Sequence, residues 1–225
     1  MSVTFPQLIC EIAFGPASQP PTWTDVSNRV REAVWQRGRQ RELDRVEAGQ
    51  ATVVLDNRDR ALDPDNTASP YYPYVRPMRR LRLRVVWQNV SYAVWQGYID
   101  AWERAYSWTD AWVSVRATDG LKVLALYKVS GTRPQERADQ RIGWLLDAVS
   151  WADGRVLSWA QAQVQAVTLD KVPALEHLNR VLEAEQGRVW IRGDGSFVFQ
   201  SRHDQLRYPY SAVQLTFGTG AGEIP

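Results

Sequence analysis

Asp56, Asp59, Asp63 and Asp65 crowd one stretch, LDNRDRALDPDNTASPYYPYV at residues 55–75, and calcium is the first chemistry that such spacing suggests. An EF-hand loop opening at Asp63 needs glycine at its sixth position and glutamate at its twelfth. The sequence places Ala68 and Tyr74 there. Arg58 and Arg60 stand among the acids, so Asx turns closed by Arg–Asp pairs are the expected use of these carboxylates. Covalent and acid–base chemistry find no frame either. His177 and His203 lie in unrelated contexts, the first among Leu175 and Leu178 on an expected helix. Cys10 is the only cysteine; it rules out an internal disulfide and a cysteine-based zinc site, and in an apolar first strand a core thiol is the default. No G-x-S-x-G, H-E-x-x-H or phosphate-cradling glycine loop occurs, so no catalytic residue, metal or cofactor is expected. A glycosidase pair of carboxylates is a spatial arrangement, and nothing in the order of residues selects one. Arg192-Gly193-Asp194 spells an integrin-binding tripeptide, but Gly-Asp-Gly is also what the tip of a hairpin requires.

The arginines are more informative. Residues 76–84 hold five arginines and no acid. Arg80, Arg82 and Arg84 alternate with Leu81, Leu83 and Val85, which puts the three guanidiniums on one face of a half-buried strand. Phosphates, acids on an adjacent subunit, or plain solvent could meet that face. A net charge of only +2 weighs against nucleic acid. The chain also has 11 tryptophans, and only Lys122, Lys128 and Lys171 are lysines among 27 basic residues. Tryptophan with arginine is an interface-prone mixture; a G+C-rich genome accounts for the arginines as well, and for the tryptophans less well.

The elements that must position these residues read as mainly β in the first half and α+β in the second. Hydrophobic residues at 44% and charged residues at 23% of 225 are ordinary for one large or two small globular domains. Residues 3–14, 51–55, 79–87, 92–102 and 111–119 alternate or run apolar as strands do, with a turn at Gln88-Asn89. The stretch 26–49 is ambiguous: its opening could be strand, and 38–49 is highly charged with a glycine at each end. After it, LKVLALYKV fits a strand or a short helix. Thr132 with Gln135 forms a capping-box pattern before a helix through Ala138, Ile142, Leu145 and Val149. A second helix is expected over 171–186, then a hairpin over 189–200 and a last strand in AVQLTFGTGAGEIP. The predicted architecture is an antiparallel β-barrel or sandwich at 1–118, followed by an α+β domain at 119–225 with two helices and a hairpin. No window is apolar for long enough to cross a bilayer, and residues 1–15 lack the basic start of a signal peptide.

The stretch RGRQRELDRVEAGQATVVLDNRDRALDPDNTASPYYPYVRPMRRLRLRV resembles the N-terminal region of the tail hub proteins, or minor tail proteins, of long-tailed bacteriophages. WQGYIDAWE, ALEHLNRVLEAEQGRVWIRGDGSFVFQSR and FGTGAGEIP are similar to successive later elements of that family, so the resemblance runs over residues 35–225. It implies a structural virion component at the tail tip, assembled in the host cytoplasm: a baseplate-hub-like ring, typically a homotrimer, that closes the tail tube. It also implies contacts with the distal tail protein, the tape-measure protein and other tail-tip proteins. DNA passes only in transit, no membrane insertion by this chain is implied, and no catalytic residue is carried over. A larger hub, with a second tube-forming domain similar to the first, is the corresponding expectation for the chain as a whole.

Under that reading Pro64, Pro70, Pro73 and Pro77 stiffen the loop. Tyr71, Tyr72 and Tyr74 then offer contact area at low rotamer cost. The candidate subunit interface is Tyr71, Tyr72, Tyr74, Arg80, Arg82 and Arg84, with a loop folded back on its own barrel as the alternative. Two rivals have distinct requirements. A carbohydrate-binding β module needs two or three exposed coplanar tryptophans, and a cell-wall hydrolase needs a cleft with paired acids or zinc.

Overall fold

The computed structural model describes residues 5–16, 19–38, 47–207 and 211–213. Residues 214–225, with all but the start of the expected last strand, and most of the charged stretch 38–49 lie outside these residues. Two compact units emerge: Met1–Tyr127 with Ala152–Arg155 and Trp190–Val198, and Lys128–Trp151 with Val156–Val189 and Phe199–Pro225.

The first unit is built on a curled, seven-stranded antiparallel sheet. Its strands are β1 (Gln7–Ala13), β2 (Thr24–Asp25), β3 (Val30–Gln36), β4 (Gln50–Asp56), β5 (Arg80–Trp87), β6 (Val90–Tyr106) and β7 (Ala111–Asp119), in the order β2-β1-β5-β6-β7-β4-β3. Period-2 alternation decides which face is dry. Ala51, Val53 and Leu55 of β4, Leu81 and Leu83 of β5, and Val113, Val115 and Ala117 of β7 all enter one core with Cys10, Ile12, Trp95 and Ile99. β5 and β6 join through Gln88 and Asn89 at φ 49° and 62°, the two left-handed residues that a type I′ hairpin turn requires. Register shifts at Leu83/Arg84 and at Ile99/Ala101 are bulges, which bend a strand and raise its twist. They let the 17-residue β6 pair with β5 along one end and β7 along the other. Gly97 sits at the crossing: a Cβ there would lie 2.3 Å from the Thr118 carbonyl oxygen.

LKVLALYKV divides between both readings, a short helix α1 (Leu121–Leu126) and then a strand β8 (Lys128–Arg133). In the second unit β8 pairs with β12 (Val167–Pro173), and β9 (Glu136–Arg137) pairs with β11 (Gln163–Val164). Helices α2 (Ala138–Ala148) and α3 (Ala174–Glu185) pack together, burying Ile142, Leu145, Leu146, Leu178 and Val181. The Thr132–Gln135 capping box does not form. Thr132 is held in the β8 ladder opposite Thr168, their hydroxyls 3.1 Å apart, and the helix is instead capped by Gln140, whose Oε1 accepts from the Arg137 N–H at 3.1 Å. The described part of the second unit does not repeat the first. It has two-stranded ribbons and helices where the first has seven strands.

Strand β10 (Arg155–Leu157) precedes β11 in the chain, and α3 is followed by the hairpin β13 (Arg188–Ile191) and β14 (Phe197–Gln200). The tip of that hairpin contains the Arg-Gly-Asp tripeptide. Asp194 Oδ1 accepts from the Ser196 N–H at 2.9 Å, and a Cβ on Gly193 would meet the Ala93 carbonyl oxygen at 2.2 Å. Turn chemistry and close backbone approach therefore account for these residues.

Candidate functional site

The long connection between β4 and β5 is held by its own side chains. Asn57 is fully buried, and its Oδ1 accepts from Leu62 N–H at 2.8 Å. Ser69 Oγ donates to the Ala61 carbonyl at 2.5 Å. A succession of tight backbone turns runs from Asn57 to Arg76, the peptide between Tyr72 and Pro73 is cis, and Met78 N–H donates to Ile99 C=O, returning the chain to the sheet. Ala61, Leu62 and Val75 are buried, so the loop has an apolar underside of its own.

The four aspartates of this loop meet arginines, as their neighbours in sequence suggest. Asp63 is 2% exposed; its carboxylate accepts from Arg60, Arg104 and the Tyr106 hydroxyl, at 2.9, 2.7 and 3.1 Å. Burial pushes its pKa up, but these donors outweigh burial and hold it at about 2. Asp59 takes both Nη groups of Arg29, Asp56 takes Arg31, and Asp65 takes Arg104. Among the described residues no group of three His, Cys, Asp or Glu side chains could hold a metal ion.

The arginine row is also matched from within. Arg82 Nε and Arg84 Nε both donate to Glu11 Oε2, at 2.6 and 2.8 Å, across the β1–β5 ladder. The Arg82 bonds are the main reason that Glu11 titrates at about 2 rather than in the ordinary glutamate range. Trp23 lies 4.2 Å from the Arg82 guanidinium, near enough for a cation–π contact. Arg80 pairs with Asp153. The signal for the Glu11 bonds was a lone acid in an apolar strand, readable only once β1 and β5 were known to be neighbours.

The tyrosines divide. Tyr71 is half-buried and stacks on Phe14, ring centroids 4.1 Å apart and 12° from parallel. Tyr74 is half-buried near the Arg79 guanidinium, 5.7 Å from its ring centroid. Tyr72 is 45% exposed. This part of the loop leans on its own unit through Tyr71 and presents Tyr72 outward.

Groups with a chemical repertoire are mostly occupied. Burial pushes the Cys10 thiol up to about 12, far from a reactive thiolate. Asp119 is raised by burial to about 6, a value suited to an acid or base. Its oxygens, however, accept from the backbone N–H groups of Gly49 at 2.6 Å and Leu121 at 2.9 Å, which ties β4 to the start of α1. His177 is buried, and desolvation, with Arg141 beside it, lowers its pKa. Of the tryptophans, Trp108 in the first unit and Trp159 in the second are exposed. Arg137 and Arg207 flank the Trp159 ring at 5.2 and 5.8 Å.

No protein-family model and no curated protein sequence matches the chain. Solved structures do. The 43 kDa tail protein of prophage MuSo2 from Shewanella oneidensis aligns with a TM-score of 0.57 at 11% identity, over 87% of this chain and 53% of that one. The tail protein from Neisseria meningitidis MC58 aligns at 0.56 and 12%, over 86% and 51%. A chain of the lidded Francisella PdpA–VgrG complex aligns at 0.56 and 10%, over 96% and 32%. The chain thus spans about half the length of the two tail proteins it matches. At these identities the likeness is one of fold: the chain, mainly β with a curled antiparallel sheet, is similar in fold to these two tail proteins.

Proposed function

We propose that the chain is a structural subunit of a phage-type tail tip, a hub-like protein whose work is assembly and not catalysis. The observation that carries this reading is the fold shared with the MuSo2 tail protein over 87% of the chain. The use of the polar groups supports it: the acidic loop and the arginine row are consumed in bracing the first unit. In this reading copies of the chain join in a ring, with three as the expected number, that closes the tail tube in the virion. Its partners are the distal tail, tape-measure and other tail-tip proteins. Residues 1–118 serve as the tube-like hub domain and residues 119–225 as the second, α+β hub domain of each subunit.

The subunit contact is placed at Tyr72 and the rims of Tyr71 and Tyr74, with Arg80, Arg82 and Arg84 bordering it. Because those three arginines already have partners, they contribute shape and stacking surface more than charge. The proline-restricted loop is ordered before any partner arrives, so association sacrifices little conformational entropy. The test is sedimentation and thermal unfolding of Tyr72→Ser and of Tyr71→Ser. Tyr72→Ser should weaken assembly and leave the melting temperature within about 2 °C, as surface changes do; Tyr71→Ser should lower the melting temperature through loss of the Phe14 stack. A Tyr72→Ser chain that assembles normally removes the loop from the contact.

A further inference from the structure

A cleft of about 230 Å³ opens in the first unit where the turn after β1 approaches the start of β5. Phe14, Pro16, Pro20, Pro21 and Tyr74 give it proline and aromatic walls, and Arg79 and Arg80 line it as well. No carboxylate lines it, and Ala17 and Ser18, the two residues of that turn outside the described set, carry none by sequence. Arg80 has a counter-ion in Asp153. Arg79 does not: its Nε and Nη1 are buried with no hydrogen-bond partner, and it forms no ion pair among the described residues. A guanidinium cannot shed its proton to escape this situation, and buried donors without acceptors are unfavourable. Among the described residues the Arg79 charge thus has the Tyr74 ring beside it, 5.7 Å away, and no anion set against it.

We propose that this cleft is a receptor for the carboxylate of an aspartate or glutamate side chain, presented by a peptide segment of an adjoining protein chain. A single unmatched charge calls for a monoanion, which favours a carboxylate over a doubly charged phosphate. Proline and aromatic walls suit the hydrocarbon that accompanies a side-chain carboxylate better than they suit a bare hydrated ion. Tyr74, a wall of the cleft, is two residues from the exposed Tyr72, so a chain crossing the tyrosines also reaches Arg79. The choice of a protein as the source rests on the assembly reading above; the choice of a carboxylate does not.

The test titrates the full chain with the blocked tripeptide acetyl-Pro-Glu-Pro-amide, its Gln counterpart and sodium phosphate. The readout is the side-chain ¹⁵N–¹H signals of Arg79, assigned by their loss in Arg79→Met. The Glu peptide should move these signals and bind at least about tenfold more tightly than the Gln peptide, the ratio that one modest charge-assisted bond supplies. Arg79→Met and Arg79→Gln should abolish that preference while melting no lower than the parent chain, and Arg180→Met, at an exposed arginine of α3, should keep it. Equal affinity for the Glu and Gln peptides, no response of Arg79 at millimolar Glu peptide, or an unchanged preference in both Arg79 variants would overturn the proposal. Phosphate binding as tightly as the Glu peptide would overturn it too, marking a general anion site. These outcomes are read on the isolated chain, so they are independent of whether a ring forms.

Discussion

Arg141 in the second unit and Arg79 in the first are both guanidiniums with donors removed from water, and their surroundings differ in kind. Arg141 is 1% exposed; its Nε donates to Glu136 at 2.6 Å, and its Nη2 donates to the carbonyls of Pro134 at 2.8 Å and Gln165 at 3.1 Å. Glu136 in turn takes Arg133, and its pKa is lowered although burial alone would raise it. Every part of that cluster is answered by the same unit, which makes it an internal brace. Arg79 has two nitrogens answered by nothing. A buried charge is therefore not in itself a sign of function. The sign is a buried charge that its own unit leaves unmatched.

The strongest way to break this comparison is to remove both charges. Arg141→Leu leaves two carbonyls without their donor and removes one of the three side-chain hydrogen bonds that Glu136 accepts, and a broken buried pair costs about 3–5 kcal/mol; Arg79→Leu should change stability by less than about 1 kcal/mol, since it removes an unmatched group. Urea unfolding, followed by signals assigned to each unit, measures both. Similar losses in the two variants would mean that Arg79 has an internal partner after all.

Glu11 provides an intermediate case, a carboxylate shared by two arginines at the edge of the core. Its folded pKa of about 2 lies below the ordinary 4.5, so the folded state holds the deprotonated form more firmly than the unfolded chain does. The stability it contributes is fully present above pH 4.5 and is lost as pH falls from there toward 2. A shift of that size corresponds to about 3 kcal/mol at neutral pH. Glu11→Gln should lower neutral-pH stability by an amount of that order and flatten the decline between pH 4.5 and 2. A parallel decline in the variant and the parent would assign the acid sensitivity elsewhere.

The fold was legible where one physical rule governs a segment. Alternation along 51–55 and 81–85 named core and surface correctly because each strand has one dry face, and Gln88-Asn89 marked a two-residue turn. Where two rules competed, the sequence misled. Thr132 had the right neighbours for a cap, but the β8 ladder took its backbone first, and the helix starts at Ala138. Strands β9 and β11 have two residues each, too few for any period to register. The site was less legible still. Arg80, Arg82 and Arg84 drew notice for their spacing, yet their partners Asp153 and Glu11 lie about seventy residues away in sequence. Arg79 breaks the alternation and so carries no pattern; what distinguishes it is an absence of partners in space.

The account rests most heavily on the claim that this chain is an assembling structural part, and the mass of the native protein tests that most directly. Light scattering over a range of concentrations, alone and with added tail proteins, should give a species of three times the 25.7 kDa chain mass, and Tyr72→Ser should shift it toward the single chain. A mass of 25.7 kDa at every concentration, with and without those proteins, would contradict the account.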